Sequence, residues 1–225
     1  MNPIIVGLDT KTAAEAIGLA EQVRPHVGGF KVGLGLLHGP GPGIVGALAR
    51  LGPVFADAKL HDIPTQVERA ARRLGEFGAR WVTAHASGGT EMLEAAHRGL
   101  SSSGGGVLAV TVLTSLDAGA LAGVGIDRTP GKLVSRMARA AEAVGVEGVV
   151  CSPQELGVVA EVAPNLVRVT PGIRPEGWES GDQRRTATPR EAIERGADLL
   201  VIARPIITAS DPAAAAAEIA ASLDR

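Results

Sequence analysis

Asp57-Ala58-Lys59-Leu60-His61-Asp62-Ile63-Pro64 sets an acid, a base and a second acid at offsets of two and three, at the end of an apolar run. In a strand, residues two apart share a face, so Asp57 and Lys59 point one way while Ala56 and Ala58 point the other. Asp62 falls just beyond the strand, before a proline suited to the first turn of a helix. Converging ionisable groups are costly unless they pair, and paired groups at a strand's carboxyl end are suited to proton transfer and to stabilising developing charge.

These residues need a scaffold, and the chain supplies a regular one. Short apolar, β-branched runs alternate with Ala/Leu/Glu/Arg segments of helical period. The predicted strands are 4–8, 29–34, 54–59, 81–85, 107–113, 148–151, 166–170 and 199–203. Thr12…Glu15, Ser152…Glu155 and Thr188…Glu191 have capping-box spacing, the last two with proline at the first helical position, and Asp211-Pro212 opens an Ala-rich final helix. In the first helix, Ala13, Ala16, Ile17, Ala20 and Val23 fall on one stripe. This alternation predicts α/β architecture, a parallel sheet with helices outside. A closed (β/α)8 TIM barrel, a single domain over 1–225 with its site at the carboxyl ends of the strands, fits the count. An open doubly wound sheet is the alternative.

The barrel predicts that polar residues gather at one rim, and they do so along the sequence. Asp9 follows the first run. Lys31 lies in the second, between Gly29 and Gly33, which leave room around an ammonium. His85, Thr114 and Arg204 follow the fourth, fifth and eighth runs. Singly, each has a structural explanation: Asp9 as a turn former, Lys31 with its stem packed, His85 as a hydrogen-bonded core residue, Arg204 as a salt-bridge partner. Asp57 and Lys59 together resist that reading. The segment 171–188, rich in glycine, proline and charge without period, is expected to be a lid, a binding loop or partly disordered.

Composition excludes several classes. With 22 basic and 24 acidic residues the formal net charge is −2, so nothing draws the chain to nucleic acid or an anionic membrane. Aromatic residues make up 2%, with no tyrosine, which removes stacking platforms for single-stranded nucleic acid. Cys151 is the only cysteine, so neither an intrachain disulfide nor a zinc-finger spacing exists. No apolar run approaches a bilayer span, and Met1-Asn2-Pro3 lacks the basic start of a secretory signal. A reducing cytoplasm is the expected compartment.

The Asp57–Pro64 stretch resembles the signature of the orotidine 5′-phosphate decarboxylase family. Gly7-Leu8-Asp9, Phe30-Lys31-Val32-Gly33, His85-Ala86-Ser87-Gly88-Gly89, Leu113-Thr114-Ser115, Thr170-Pro171-Gly172-Ile173-Arg174, Asp182-Gln183 and Arg204-Pro205-Ile206 are similar to its other blocks, in order. The resemblance implies a homodimeric barrel that decarboxylates orotidine 5′-monophosphate with no cofactor and no metal. It assigns Asp9 and Lys31 to the ribose side, Asp57 to the departing carboxylate and Lys59 to protonation of C6. Asp62 would enter the neighbouring subunit's site, with Ile63, Thr65 and Gln66 beside it. Thr114 would hold the pyrimidine. Pro171, Arg174, Gln183, Ala203 and Arg204 would line the phosphate side.

Two positions depart from the family pattern. Thr65-Gln66 stands where Asn-Thr is common, and Ala203 where glycine usually precedes the phosphate arginine. A related group of sugar-phosphate barrels, acting through a magnesium-bound enediolate, shares the acid-x-Lys-x-x-acid pattern but places an acid in the second strand. Lys31 occupies that place here, and an ammonium repels a divalent cation.

Overall fold

The computed structural model describes residues 2–175, 178 and 186–223. Among them, eight parallel strands close into a barrel in sequence order, β1 pairing with both β2 and β8. The first half runs β1 (Ile4–Gly7), α1 (Ala13–Val23), β2 (Gly29–Val32), α2 (Leu34–His38), α3 (Gly43–Ala49), β3 (Val54–Leu60), α4 (Pro64–Glu76), β4 (Trp81–His85) and α5 (Thr90–Ser101). The second half runs β5 (Gly106–Val110), α6 (Ala118–Gly123), α7 (Pro130–Val144), β6 (Gly148–Val150), α8 (Leu156–Val162), β7 (Val167–Thr170), α9 (Pro189–Glu194), β8 (Leu199–Ile202), α10 (Arg204–Ile207) and α11 (Pro212–Leu223). The architecture is the closed barrel expected from the sequence, not the open-sheet alternative.

Strand alternation divides the apolar residues into two cores. Ile5, Phe55, Trp81, Leu108, Val169, Leu199 and Val201 fill the barrel interior. Their neighbours Ile4, Val6, Val54, Ala56, Val82, Val107 and Leu200 pack outward under the helices. Because Phe55 and Trp81 are inward, the residues two further along, Asp57 and Thr83, also point into the barrel. The interior is thus closed by apolar side chains below and opens on polar ones above.

Capping boxes form at Thr12/Glu15 and Thr188/Glu191, and the Asp211 carboxylate accepts the Ala214 N–H at the start of α11. At Ser152/Glu155 the carboxylate half of the box is present, but α8 starts later. There the Glu155 carboxylate accepts both the Ser152 N–H, at 2.9 Å, and the Ser152 hydroxyl. Residues 153–155 make a turn and α8 begins at Leu156. Several strands also stop short of the expected ends, β1 at Gly7, β2 at Val32 and β5 at Val110. The apolar runs continue past the last ladder bond because Leu8 and Val112 are still buried as loop residues.

Candidate active site

At the carboxyl ends of the strands lies a cavity of about 560 Å³ whose wall includes Asp9, Lys31, Asp57, Lys59, Thr114, Pro171, Arg174, Ala203 and Arg204. The charged residues on the β1–β3 side alternate in sign. Lys31 Nζ lies 3.2 Å from Asp9 Oδ1 and 3.8 Å from Asp57 Oδ2, and Lys59 Nζ lies 2.7 Å from that same Oδ2. Side-chain exposure is 12% for Lys31, 13% for Asp57 and 30% for Lys59, against 53% for Asp9. Asp57 is therefore the sheltered anion between two ammonium groups, and the row fades into solvent at Asp9.

The structure brings Asp57 and Lys59 together, but not through regular strand alternation. β3 is not a regular strand at Lys59. Ala56 pairs with Val82 and Leu60 with Ala84, so four steps on β3 match two on β4. Lys59 sits in the bulge with φ +46°, the one described non-glycine residue in the left-handed region. Such a conformation costs about 1–3 kcal/mol and persists only when its surroundings hold it. Thr83, opposite the bulge and fully buried, meets it. The Lys59 N–H donates to Thr83 Oγ1 at 2.9 Å, and that hydroxyl donates to Asp57 Oδ1 at 3.0 Å. Thr83 lies between two singled-out residue groups and carried no sequence signal beyond being a polar residue at an inward strand position.

Glycines open the floor around Lys31, but not both of those expected. A Cβ on Gly33 would lie 3.2 Å from Lys31 Nζ, as anticipated. A Cβ on Gly29 would instead strike the Pro53 carbonyl oxygen at 2.6 Å, so Gly29 serves the close approach of the β3 lead-in chain. Gly7 is the second glycine beside the ammonium, its absent Cβ falling 3.2 Å from Lys31 Cε and 2.9 Å from the Ala203 methyl.

His85 ends β4 but is not on the cavity wall. Its half-buried ring lies 5.4 Å from that of His61, tilted by 32°. Burial, followed by the nearby His61 and Lys59, holds its pKa below the ordinary 6.5, with Asp57 acting weakly in the opposite sense. Arg174 is buried, its Nη1 donating to the Ile173 carbonyl at 2.8 Å, while Arg204 is exposed at the rim. Among the described residues, no three His, Cys, Asp or Glu side chains gather as ligands for a metal.

A family model described as orotidine 5′-phosphate decarboxylase / HUMPS family matches residues 2–219. The chain belongs to this family. It is 53% identical over 222 residues to the orotidine 5′-phosphate decarboxylase of Anaeromyxobacter sp. (strain K), covering 98% of this chain and 97% of that one. It is 46% identical to the corresponding protein of Paramagnetospirillum magneticum, over 99% of both chains. A crystal structure of orotidine 5′-phosphate decarboxylase from Lactobacillus acidophilus superposes with a TM-score of 0.88, at 32% identity over the whole of both chains.

Within the family pattern, the residues that do not reach the cavity are as informative as those that do. Asp62, Ile63, Thr65 and Gln66 occupy the β3–α4 turn and the start of α4, all exposed and off the cavity wall, with Ile63 at 64% exposure. The Asp62 carboxylate accepts the N–H of its neighbour Ile63 at 2.6 Å. Ala203, the departure from glycine, has φ −117°, which an alanine adopts without left-handed strain. The segment 171–188 leaves the barrel beside the cavity, and where it is described Ile173 pairs with Ala187, the Arg174 N–H donating to the Ala187 carbonyl at 2.9 Å. Asp182 and Gln183 lie outside the described residues.

Proposed function

We propose that this chain decarboxylates orotidine 5′-monophosphate to UMP and carbon dioxide in pyrimidine biosynthesis, without metal or organic cofactor. The single observation that carries the reading is the alternating row Asp9, Lys31, Asp57, Lys59 at the mouth of a closed barrel. Family membership and the names of the relatives support the substrate.

Loss of carbon dioxide from C6 of the pyrimidine leaves an electron pair in an in-plane orbital that the ring delocalises poorly. With no cofactor as electron sink, a fixed ammonium beside C6 is the available stabiliser. Lys59 supplies that charge and then its proton, forming the C6–H bond of UMP as carbon dioxide departs. Asp57, 2.7 Å from Lys59 Nζ, orients the ammonium and faces the substrate carboxylate. Asp57 acts chiefly by orienting Lys59, whose charge stabilises the transition state, rather than by repelling the substrate carboxylate in the ground state. Lys31 and Asp9 hold the ribose hydroxyls and fix the far end of the charge row. Thr114 contacts the pyrimidine edge.

The phosphate is remote from the broken bond, and its binding energy orders the site. Arg204, Arg174 and Gln183, with Pro171 and Ala203 beside them, form the phosphate side, a guanidinium being well suited to a dianion. The 171–188 segment closes over the ligand and excludes water. In a homodimer, the exposed Asp62, Ile63, Thr65 and Gln66 reach the neighbouring site, where Asp62 adds a second carboxylate beside Lys59. A reducing cytoplasm suits the single cysteine.

The alternative is a magnesium-dependent sugar-phosphate barrel, which the family model's breadth leaves as a comparison. Lys31 stands where such a site needs a carboxylate, which favours the metal-free reading. The test is turnover of orotidine 5′-monophosphate in D2O with excess chelator, followed by NMR. Uridine 5′-monophosphate carrying one deuterium at C6 is expected. No product, or product only after magnesium is added, refutes the proposal.

A further inference from the structure

The bulge in β3 leaves Lys59 with a backbone N–H that has no strand partner, because β4 advances only two residues while β3 advances four. Thr83 accepts that N–H with its hydroxyl oxygen and donates its own O–H in a hydrogen bond to Asp57 Oδ1, at 2.9 and 3.0 Å. The other oxygen of the same carboxylate accepts Lys59 Nζ at 2.7 Å. The contacts therefore close a ring: Lys59 N–H to Thr83, Thr83 to Asp57, and Asp57 back to the end of the Lys59 side chain. One hydroxyl grips both ends of the lysine, its backbone directly and its ammonium through the carboxylate.

We infer that Thr83 is the positioning residue of the charge row, its hydroxyl fixing the left-handed Lys59 backbone and aiming Asp57 at the Lys59 ammonium. The inference rests on the proposed reaction only for its kinetic readout. Thr83 is fully buried and off the cavity wall, so substrate does not touch it. Its effect reaches the reaction only through Lys59 and Asp57. A valine keeps the shape of the threonine but has no hydroxyl, leaving the Lys59 N–H and Asp57 Oδ1 without this partner. A serine keeps the hydroxyl and loses only a methyl group.

The consequence is a defect in kcat rather than in KM. Interactions confined to the aligned ammonium act in the transition state, and a displacement of about 1 Å there costs about a hundredfold in rate. Ground-state binding, carried by the ribose and phosphate contacts, is untouched.

The experiment compares wild type, Thr83→Val, Thr83→Ala and Thr83→Ser by steady-state kinetics on orotidine 5′-monophosphate and by crystal structures of the wild type and the valine variant. Expected are a loss of about a hundredfold in kcat for valine and alanine, with KM within about threefold, and recovery to within about threefold for serine. In the valine structure the Lys59 φ should leave the left-handed region and the Nζ–Oδ2 contact should open beyond salt-bridge distance. Near-normal kcat in the valine variant, equal damage from serine, or an unchanged Lys59 overturns the assignment. Failure of both valine and alanine variants to fold also overturns it, because the hydroxyl would then serve the barrel rather than the charge row. If wild type itself is inert on this substrate, the reading of the reaction fails, and the crystal structures still decide the role of Thr83.

Discussion

Asp57→Asn removes one charge from the row while keeping nearly every atom in place. The carboxylate oxygen Oδ2 lies 2.7 Å from Lys59 Nζ and 3.8 Å from Lys31 Nζ. At an effective dielectric near 20 these attractions come to about 6 and about 4 kcal/mol before desolvation is counted. The three side chains are only 12–30% exposed, so salt screens them weakly. Most of the gross attraction is offset by the cost of taking the groups out of water. Deleting one member of such a cluster still costs about 3 kcal/mol, because the others are left sheltered and unbalanced. For a chain of this length, that lowers the melting midpoint by about 6–12 °C. Asparagine keeps Oδ1 as acceptor for Thr83, so the loss reports the charge rather than the hydroxyl bond. Turnover falls by about a hundredfold or more, since Lys59 loses the group that orients it. Scanning calorimetry and kcat on the same preparation measure both effects. A midpoint at or above the wild-type value would refute the reasoning that Asp57 holds the two lysines together.

Mixing Asp62→Ala with Lys59→Ala subunits tests the shared site, since each mixed dimer regains one site with both residues intact. Random mixing then yields about a quarter of the wild-type sites, and mixed dimers that form but stay inactive contradict the cross-subunit role. His85 has a folded pKa held below 6.5 by burial, His61 and Lys59, so the unfolded chain binds its proton more readily. Stability is therefore lost as pH falls through about 6.5, and His85→Asn should flatten that loss in urea midpoints measured at about pH 7.5 and about pH 5; an unchanged slope would count against it. At the opposite end of the barrel, Glu147 accepts two bonds from Arg80 at 2.6 Å and one from Trp81 Nε1 at 2.8 Å. Glu147→Ala should cost about 2 kcal/mol with kcat per folded molecule unchanged; an unaltered midpoint would show the network is idle.

The barrel was readable because short apolar runs recur at each of its strands and because the helix starts at Thr12, Thr188 and Asp211 carry working caps. The charge row was readable from residue type and position. What escaped lies between elements. The register shift opposite Thr83 inserts residues without changing the apolar pattern, so the Asp57–Lys59 offset looked like ordinary alternation. The left-handed Lys59 has no sequence mark, because glycine, the usual sign of that conformation, is absent there. Gly29 and Gly33 looked alike beside Lys31, yet only a three-dimensional neighbour separates their uses, the Pro53 carbonyl for one and the ammonium for the other. Ser152 and Glu155 had the right spacing for a cap and do bond to each other, yet residues 153–155 form a turn and α8 begins only at Leu156.

The most direct test of the account is the ultraviolet-followed turnover of orotidine 5′-monophosphate by wild type and Lys59→Ala, both in excess chelator. The account predicts rapid loss of substrate absorbance with wild type and a fall of at least about a thousandfold with the alanine variant, which lacks both the stabilising charge and the proton. Near-normal turnover by Lys59→Ala, or a wild type that works only with added magnesium, would contradict it.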